Sequence, residues 1–401
     1  LGDPEIGLAI IDGRIKLGGH GLDFGAHGDP WSVPAPSQHY AETLHGFRWL
    51  NDLAAAGLSR KISKSNPAIL ARAQSRAQYL VDRWIAVYGQ WNPFAWREDI
   101  LAMRIYSWLT NWQTLLRNDA QGAASEKRSA SLQQQLKRLR KTYSRTKPGI
   151  DRLRAAACLV MGGACFAGKQ DNVLAQALDM LDDEIDLQIL ADGGHISRAP
   201  SQAIMALEIL LQVEAALDAR GIPGSREIRR SIDRMAPIVA FFTADNGQQF
   251  SFHGGGLGDV NTTRTLLAAA KIKTKPFGFT NNSKYQRLSK NGNIIILDAG
   301  DVAPRPFDTD AHIAPLAFEM STPAGPLIVN CGWNVNQPST WRDAVRKTAA
   351  HSTLCLNGED AGAFVESDFV KSVLGSAVKR AANGVHCGRN EHESGIWLQA
   401  Y

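Results

Sequence analysis

Residues 316–332 read LAFEMSTPAGPLIVNCG, and their punctuation decides the fold of the C-terminal part of the chain. LAFEMS and GPLIVNCG are short apolar or alternating runs bounded by Gly, Asn and Pro, the pattern of strands rather than helices. Working outward, NIIILDAG (293–300), HSTLCLNG (351–358), VKSVLGSAVKRAA (370–382), GVHCGRN (384–390) and GIWLQAY (395–401) repeat it. Together they predict an antiparallel, sandwich-like domain.

Upstream of about residue 275 the period changes. Asn66-Pro67 introduces AILARAQSRAQYLVDRWIAVYG, with Pro at a favoured first helical position, and HGFRWLNDLAAAG carries apolar residues at helical spacing before stopping at Gly57. Similar segments continue to VNTTRTLLAAAKI, giving about nine helices joined by short loops, as in stacked αα-hairpins. No fixed-length repeat is visible, which favours a closed toroid over a solenoid. The first 39 residues, rich in Gly, Pro and His, read as an extended arm with loops. The expected organisation is therefore α+β: an arm at 1–39, an incomplete (α/α) toroid at 40–275, and an antiparallel β-sandwich at 276–401. The chain stops within an apparent strand at Tyr401, so the sandwich is expected to be incomplete.

At 401 residues two domains are the default. The formal charge of +5, from 44 basic and 39 acidic residues, is too diffuse to imply nucleic acid. No apolar stretch reaches the roughly 18 residues of a membrane span. Five cysteines at irregular spacing argue against a disulfide framework. No signal segment is visible at the start.

Two places carry candidate chemistry. The loop LADGGHISRAP (190–200) holds His195 and Arg198 between two helices, beside Asp192; its plain structural reading is a capped turn. In the strand half, His312 of Asp310-Ala311-His312, Asn330 and His351 offer two imidazoles and an amide oxygen that could converge on one metal, although two distant histidines are more often simply packed or exposed.

HGFRWL, WNPFAWREDILAMRIYSWL, LADGGHISRAP, SKYQRL followed by IIILDAG, and LAFEMS through AAHSTL, in that order, resemble heparinase II/III-type polysaccharide lyases over nearly the whole chain. The resemblance implies the toroid and sandwich, β-elimination on acidic polysaccharides, and a periplasmic or cell-envelope location. It also implies members longer than this chain. Such chemistry needs a group that neutralises the uronate carboxylate, a base and an acid.

This sequence departs from the family pattern at those positions. Gln202 stands where a Tyr follows the Asp-Gly loop, Ile150-Asp151-Arg152-Leu153 lacks the Asn-His pair, and Asp310 replaces the catalytic His. The His-Asp-His metal set reads His312, Asn330 and His351, so Zn²⁺ binding is expected to be weak or absent.

Two functions follow. One is a divergent lyase using His195 as acid or base, Arg198 against the uronate, Gln202 at the Tyr position and Asp310 as a weak base. The other is a non-catalytic protein that binds acidic polysaccharide or serves the cell envelope. A hydrolase would need a carboxylate pair in the toroid cleft, and none is identifiable. Trp49, Trp91, Trp96, Trp108 and Trp112 are read mainly as core, with sugar stacking as the minority role. If a site survives, the loop bearing His195 and Arg198 is expected to face the strand bearing Asp310.

Overall fold

The computed structural model describes residues 2–117, 122–166, 172–256, 258–272, 277–333, 339–365 and 384–386. Thirteen helices are described: α1 (Pro4–Ile11), α2 (Gln38–His45), α3 (Leu50–Leu58), α4 (Arg60–Ser65), α5 (Ile69–Tyr88), α6 (Glu98–Asn111), α7 (Gly122–Thr142), α8 (Ile150–Phe166), α9 (Val173–Gln188), α10 (Pro200–Asp218), α11 (Arg226–Phe241), α12 (Val260–Ala270) and α13 (Ser339–Ala344). The strands are β1 (Arg14–Leu17), β2 (His20–Asp23), β3 (Tyr285–Lys290), β4 (Asn293–Asp298), β5 (Phe318–Thr322), β6 (Gly325–Ile328), β7 (Ala363–Val365) and β8 (Gly384–His386). Helices therefore come first and an antiparallel sheet ordered β3-β4-β5-β6 comes second.

By contacts the chain divides into two compact units. The first is Leu1–Lys147, Asp151–Leu181 and Gln212–Pro223; the second is Pro148–Ile150, Asp182–Leu211 and Gly224–Tyr401. The division does not follow the helix-to-strand switch near residue 275. The 189–198 loop bonds the entry of β3, and the C-terminal end of α11 packs on β3 and β4, so both group with the strands.

The first unit has an aromatic and cationic interior. Trp49, Trp84 and Trp108 are fully buried, Trp96 nearly so, whereas Trp91 is 62% exposed and Trp112 is half-buried. Arg104, wholly inaccessible, lies 4.2 Å from the centre of the Trp84 ring and donates to Gln135 Oε1, Ala95 O and His45 O. No carboxylate is among these partners; the π face and carbonyl dipoles replace one.

The expected loose arm at 1–39 is corrected. Asp3 caps α1 with Pro4 in its first turn, and Gly18-Gly19, both at positive φ, turn the β1–β2 hairpin. The reading from composition gave too little weight to these two local signals. Gly7 lets α1 lie directly on α3, since a Cβ there would fall 2.1 Å from the Asp52 carbonyl. Arg76 of α5 ties the arm down by donating to the carbonyls of Ile10, Gly25, Ala26 and Gly28.

In the second unit, alternation sorts the sheet into two faces. Tyr285, Ile294 and Ile296 point inward onto Ile238, Phe241 and Phe242 at the end of α11, joined by Phe250 and Phe252. Arg287 donates to the carbonyls of Phe241 and Thr243, satisfying the C-terminal end of α11. Met320 pairs with Ile295 on one side and Ile328 on the other, giving the second face an apolar stripe. HSTLCLNG was expected as a strand, but in this structure it contributes only an isolated bridge, Leu356–Glu359. VKSVLGSAVKRAA and GIWLQAY lie outside the described residues, as does all of GVHCGRN except Gly384–His386.

Glu319 is a carboxylate at 3% exposure whose two oxygens accept the backbone N–H groups of Ser251 and Asn330, each at 2.8 Å. Burial outweighs those bonds and pushes its carboxyl up to about 7.

Two outcomes follow from these contacts. Arg76→Ala leaves four carbonyls without their donor, so it should cost on the order of 3 kcal/mol and speed amide exchange across residues 10–28. Unchanged protection there would rule out the clamp. Ionisation of Glu319 opposes folding, because its folded value of about 7 lies above the ordinary 4.5. Its contribution is most favourable below about 4.5 and is lost as pH rises through about 7. Glu319→Gln should flatten that stretch of the Tm–pH curve relative to wild type.

Candidate functional site

The residues singled out from the sequence all fall in the second unit. After α9 the chain makes a tight reversal. Ile189 bridges to His195, Gly193 N–H donates to Leu190 O, and Ile196 N–H donates to Gln188 O. Gly193 has φ of 89°, and a Cβ on it would meet the Arg234 carbonyl at 1.9 Å, so glycine is required on both counts. Asp192 Oδ2 accepts the backbone N–H groups of Asn282 and Ser283, each at 2.7 Å, while its Oδ1 accepts Gly194 N–H at 3.0 Å. This fixes the loop to the entry of β3.

His195 is 1% exposed. Its Nδ1 accepts Ser197 N–H at 3.1 Å and lies 2.7 Å from Ser197 Oγ, so Nε2 carries the proton and donates to Gln188 Oε1 at 3.0 Å. Burial lowers its pKa to about 3, which keeps the ring neutral. Both nitrogens are committed to internal partners.

Arg198, at φ of 61°, turns its guanidinium inward. It donates to Ser283 O and Asp301 O and pairs with Asp298, itself buried at the end of β4. Its own carbonyl accepts the Tyr285 hydroxyl at 2.8 Å. Asp298 Oδ2 holds His253 Nε2 at 2.8 Å, and His253 Nδ1 accepts the backbone N–H of His312 at 3.1 Å. Burial acts to raise the Asp298 carboxyl, but Arg198 and His253 outweigh it and hold it at about 2. The result is one continuous polar chain from Arg198 through Asp298 and His253 to His312.

Asp310 abuts the glycine run, since a Cβ on Gly254 would lie 2.7 Å from its own. Its carboxylate is ion-paired with Arg342, and both side chains are about one-third exposed, at 35% and 39%. A Cβ on Gly255 would come within 3.5 Å of Ser201 Oγ, beside half-buried Gln202 on α10. The start of α10, the glycine run and Asp310 are thus neighbours. His195 and Arg198 reach the same region only through their buried contacts.

Of the metal candidates, His312 and His351 stack with ring centres 4.2 Å apart and planes at 24°. His312 Nε2 accepts Gly254 N–H at 2.7 Å, and Asn330 Oδ1 accepts Ser352 N–H at 2.9 Å. These residues do not fit a zinc ion. The ring nitrogen and the amide oxygen that would bind it already accept hydrogen bonds, and stacked rings send their in-plane lone pairs alongside each other. Among the described residues no group of three or more His, Cys, Asp or Glu could hold a metal, and no helix is long and apolar enough to cross a membrane.

Sequence reasoning missed His253, Asp298 and Glu319. Asp298 stood inside the quoted IIILDAG, and His253 opens the run His253-Gly254-Gly255-Gly256, whose glycines signal close backbone approach.

Comparison with known proteins supports this reading of the fold. Residues 272–401 match the family "Heparinase II/III-like, C-terminal". Over 398 residues the chain is 30% identical to "FtsZ-localized protein C" of Caulobacter vibrioides (strain NA1000 / CB15N), covering 99% of this chain and 66% of that protein. Crystal structures share the fold at low identity. Heparinase III superposes with a TM-score of 0.67 at 13% identity, covering 90% of this chain and 64% of that one. Heparan sulfate lyase HepC from Pedobacter heparinus gives 0.58 at 16%, covering 91% and 62%. The chain thus spans a little under two thirds of the length of the proteins it matches. Its architecture is the (α/α) toroid with antiparallel sandwich of those lyases, and residues 272–401 carry the heparinase II/III-like C-terminal domain in a divergent form.

Proposed function

We propose that this chain is a non-catalytic heparinase-fold protein, a binding component that localises with FtsZ rather than an enzyme that cleaves polysaccharide. The observation that carries this reading is the inward commitment of Arg198. A group that neutralises a uronate must face the substrate, whereas this guanidinium has its partners in Asp298, Asp301 O and Ser283 O. Withdrawing it would leave Asp298 with a buried, half-compensated charge, a loss on the order of 3–5 kcal/mol.

Other requirements of β-elimination are equally unmet. His195 is enclosed and neutral, with both ring nitrogens occupied. Gln202, an amide, cannot transfer a proton as a phenol does. Asp310 is engaged by Arg342. The 30%-identical relative, aligned along nearly this whole chain, is named for its association with FtsZ and not for a lyase activity. The likeness to heparan sulfate lyases supports a second component, retention of acidic polysaccharide without turnover, because the fold persists where the chemistry is replaced.

The test has two arms. Purified protein incubated with heparan sulfate, alginate and polygalacturonate should release no unsaturated uronate above an enzyme-free control. Steady product formation that disappears in Asp310→Asn would overturn the non-catalytic reading. Mixed with FtsZ polymers, the protein should pellet with them, and should stay in the supernatant when FtsZ is held unpolymerised. Failure to pellet at micromolar concentrations of both would remove the FtsZ part and leave the first result standing.

A further inference from the structure

His312, Asn330 and His351 occupy the position where the resemblance places a zinc ion, yet their atoms are arranged for another purpose. His312 is buried, with its ring stacked on that of His351. With Nε2 accepting Gly254 N–H, the single ring proton sits on Nδ1, and neither nitrogen keeps a free lone pair. Asn330 is 6% exposed and turns its oxygen to Ser352 N–H. Its Nδ2, inaccessible and turned to the Glu319 carboxylate, presents protons where a ligand would present lone pairs. His351 has both ring nitrogens buried, and one of them is turned to the Val345 carbonyl.

Charge points the same way. A carboxylate would strengthen the hold on a dication between imidazoles, and each one nearby is already engaged. Asp298 holds Arg198 and His253, Glu319 holds two backbone N–H groups, and Asp310 holds Arg342. Meanwhile the hydrogen bonds accomplish what a metal would. Gly254 N–H to His312 ties the glycine run to the 310–313 segment, His312 N–H to His253 Nδ1 doubles that tie, and Ser352 N–H to Asn330 joins the end of the β6 segment to the 351–352 segment.

We infer that this position is a metal-independent hydrogen-bonded hub that cross-links the strand segments without a cation, and that Asn330 is the residue that makes it so. An Asp there would keep the bond to Ser352 N–H through one oxygen. Its second oxygen would put a negative charge where Nδ2 now faces Glu319, setting one buried carboxylate against another. The inference concerns cross-linking alone and does not depend on whether the chain cleaves or binds a polysaccharide.

Zinc bound per chain is measured after gel filtration from micromolar zinc chloride, with Tm recorded in zinc and in EDTA. Wild type should retain far less than one equivalent and show the same Tm in both conditions. Asn330→Asp should also retain far less than one zinc, because His312 still has no lone pair to give, and its Tm should fall equally in zinc and in EDTA. Stoichiometric zinc on wild type that His351→Ala removes would overturn the hub, a result that needs no variant at position 330. An Asn330→Asp protein whose Tm equals that of wild type would overturn the assignment to Asn330.

Discussion

The second unit is organised around the carboxylate of Asp298. It is buried, and it sits at the end of β4, where strand, helix-joining loop and glycine run meet. A buried carboxylate is tolerated only when cations and donors surround it, and here one oxygen takes Arg198 while the other takes His253. Each partner comes from a different segment, so one charge holds the 190–200 loop and the 253–256 run to the sheet. Because Arg198 also donates to Ser283 O and Asp301 O, the backbone on both sides of the β3–β4 hairpin is fixed by the same guanidinium. Removing Asp298 would release all of these at once, whereas removing any single apolar neighbour would leave a cavity and little else.

Glu319, two strand positions from the same polar chain, answers burial differently. It has no cation and relies on two backbone N–H donors, so its carboxyl rises to about 7 while that of Asp298 falls to about 2. The two residues contribute opposite pH dependences. Asp298 stabilises above the ordinary carboxylate range and loses that contribution as pH falls towards 2; Glu319 favours the fold when protonated and disfavours it as pH rises through 7. The inner face of one small sheet thus carries a permanently ionised group and a titrating one within two strands. The difference lies in whether an arginine reaches them.

Much of this fold was legible in the chain. The change of period near residue 275, the Asn66-Pro67 helix start and the Gly-bounded runs of LAFEMS and GPLIVNCG were local signals, and local signals survive folding. The arm was misread because two short cues, Asp3-Pro4 and Gly18-Gly19, were outvoted by bulk composition. HSTLCLNG illustrates the opposite failure, an apolar run whose strand character depends on a neighbour that periodicity does not specify. The candidate site was legible as a set of positions but not as chemistry. His195 and Arg198 were identifiable from the sequence, but the direction each side chain takes is set by Gln188, Ser197 and Asp298. These are partners up to 100 residues away that no spacing rule connects.

On the proposed non-catalytic reading, that inward turn bears on how a lyase fold persists without lyase chemistry. Catalytic groups must keep unsatisfied valence towards a substrate, so they add strain or exposed charge that the fold must support elsewhere. A substitution that allows such a group to find an internal partner removes that cost and adds a cross-link. Asn330, bonding Ser352 instead of a metal, and Arg198, bonding Asp298 instead of a uronate, are two instances within one unit. Each such exchange makes the sandwich and the loop above it more self-sufficient. It also raises the energy needed to recover the activity, since recovery means breaking a buried pair and not merely replacing a side chain.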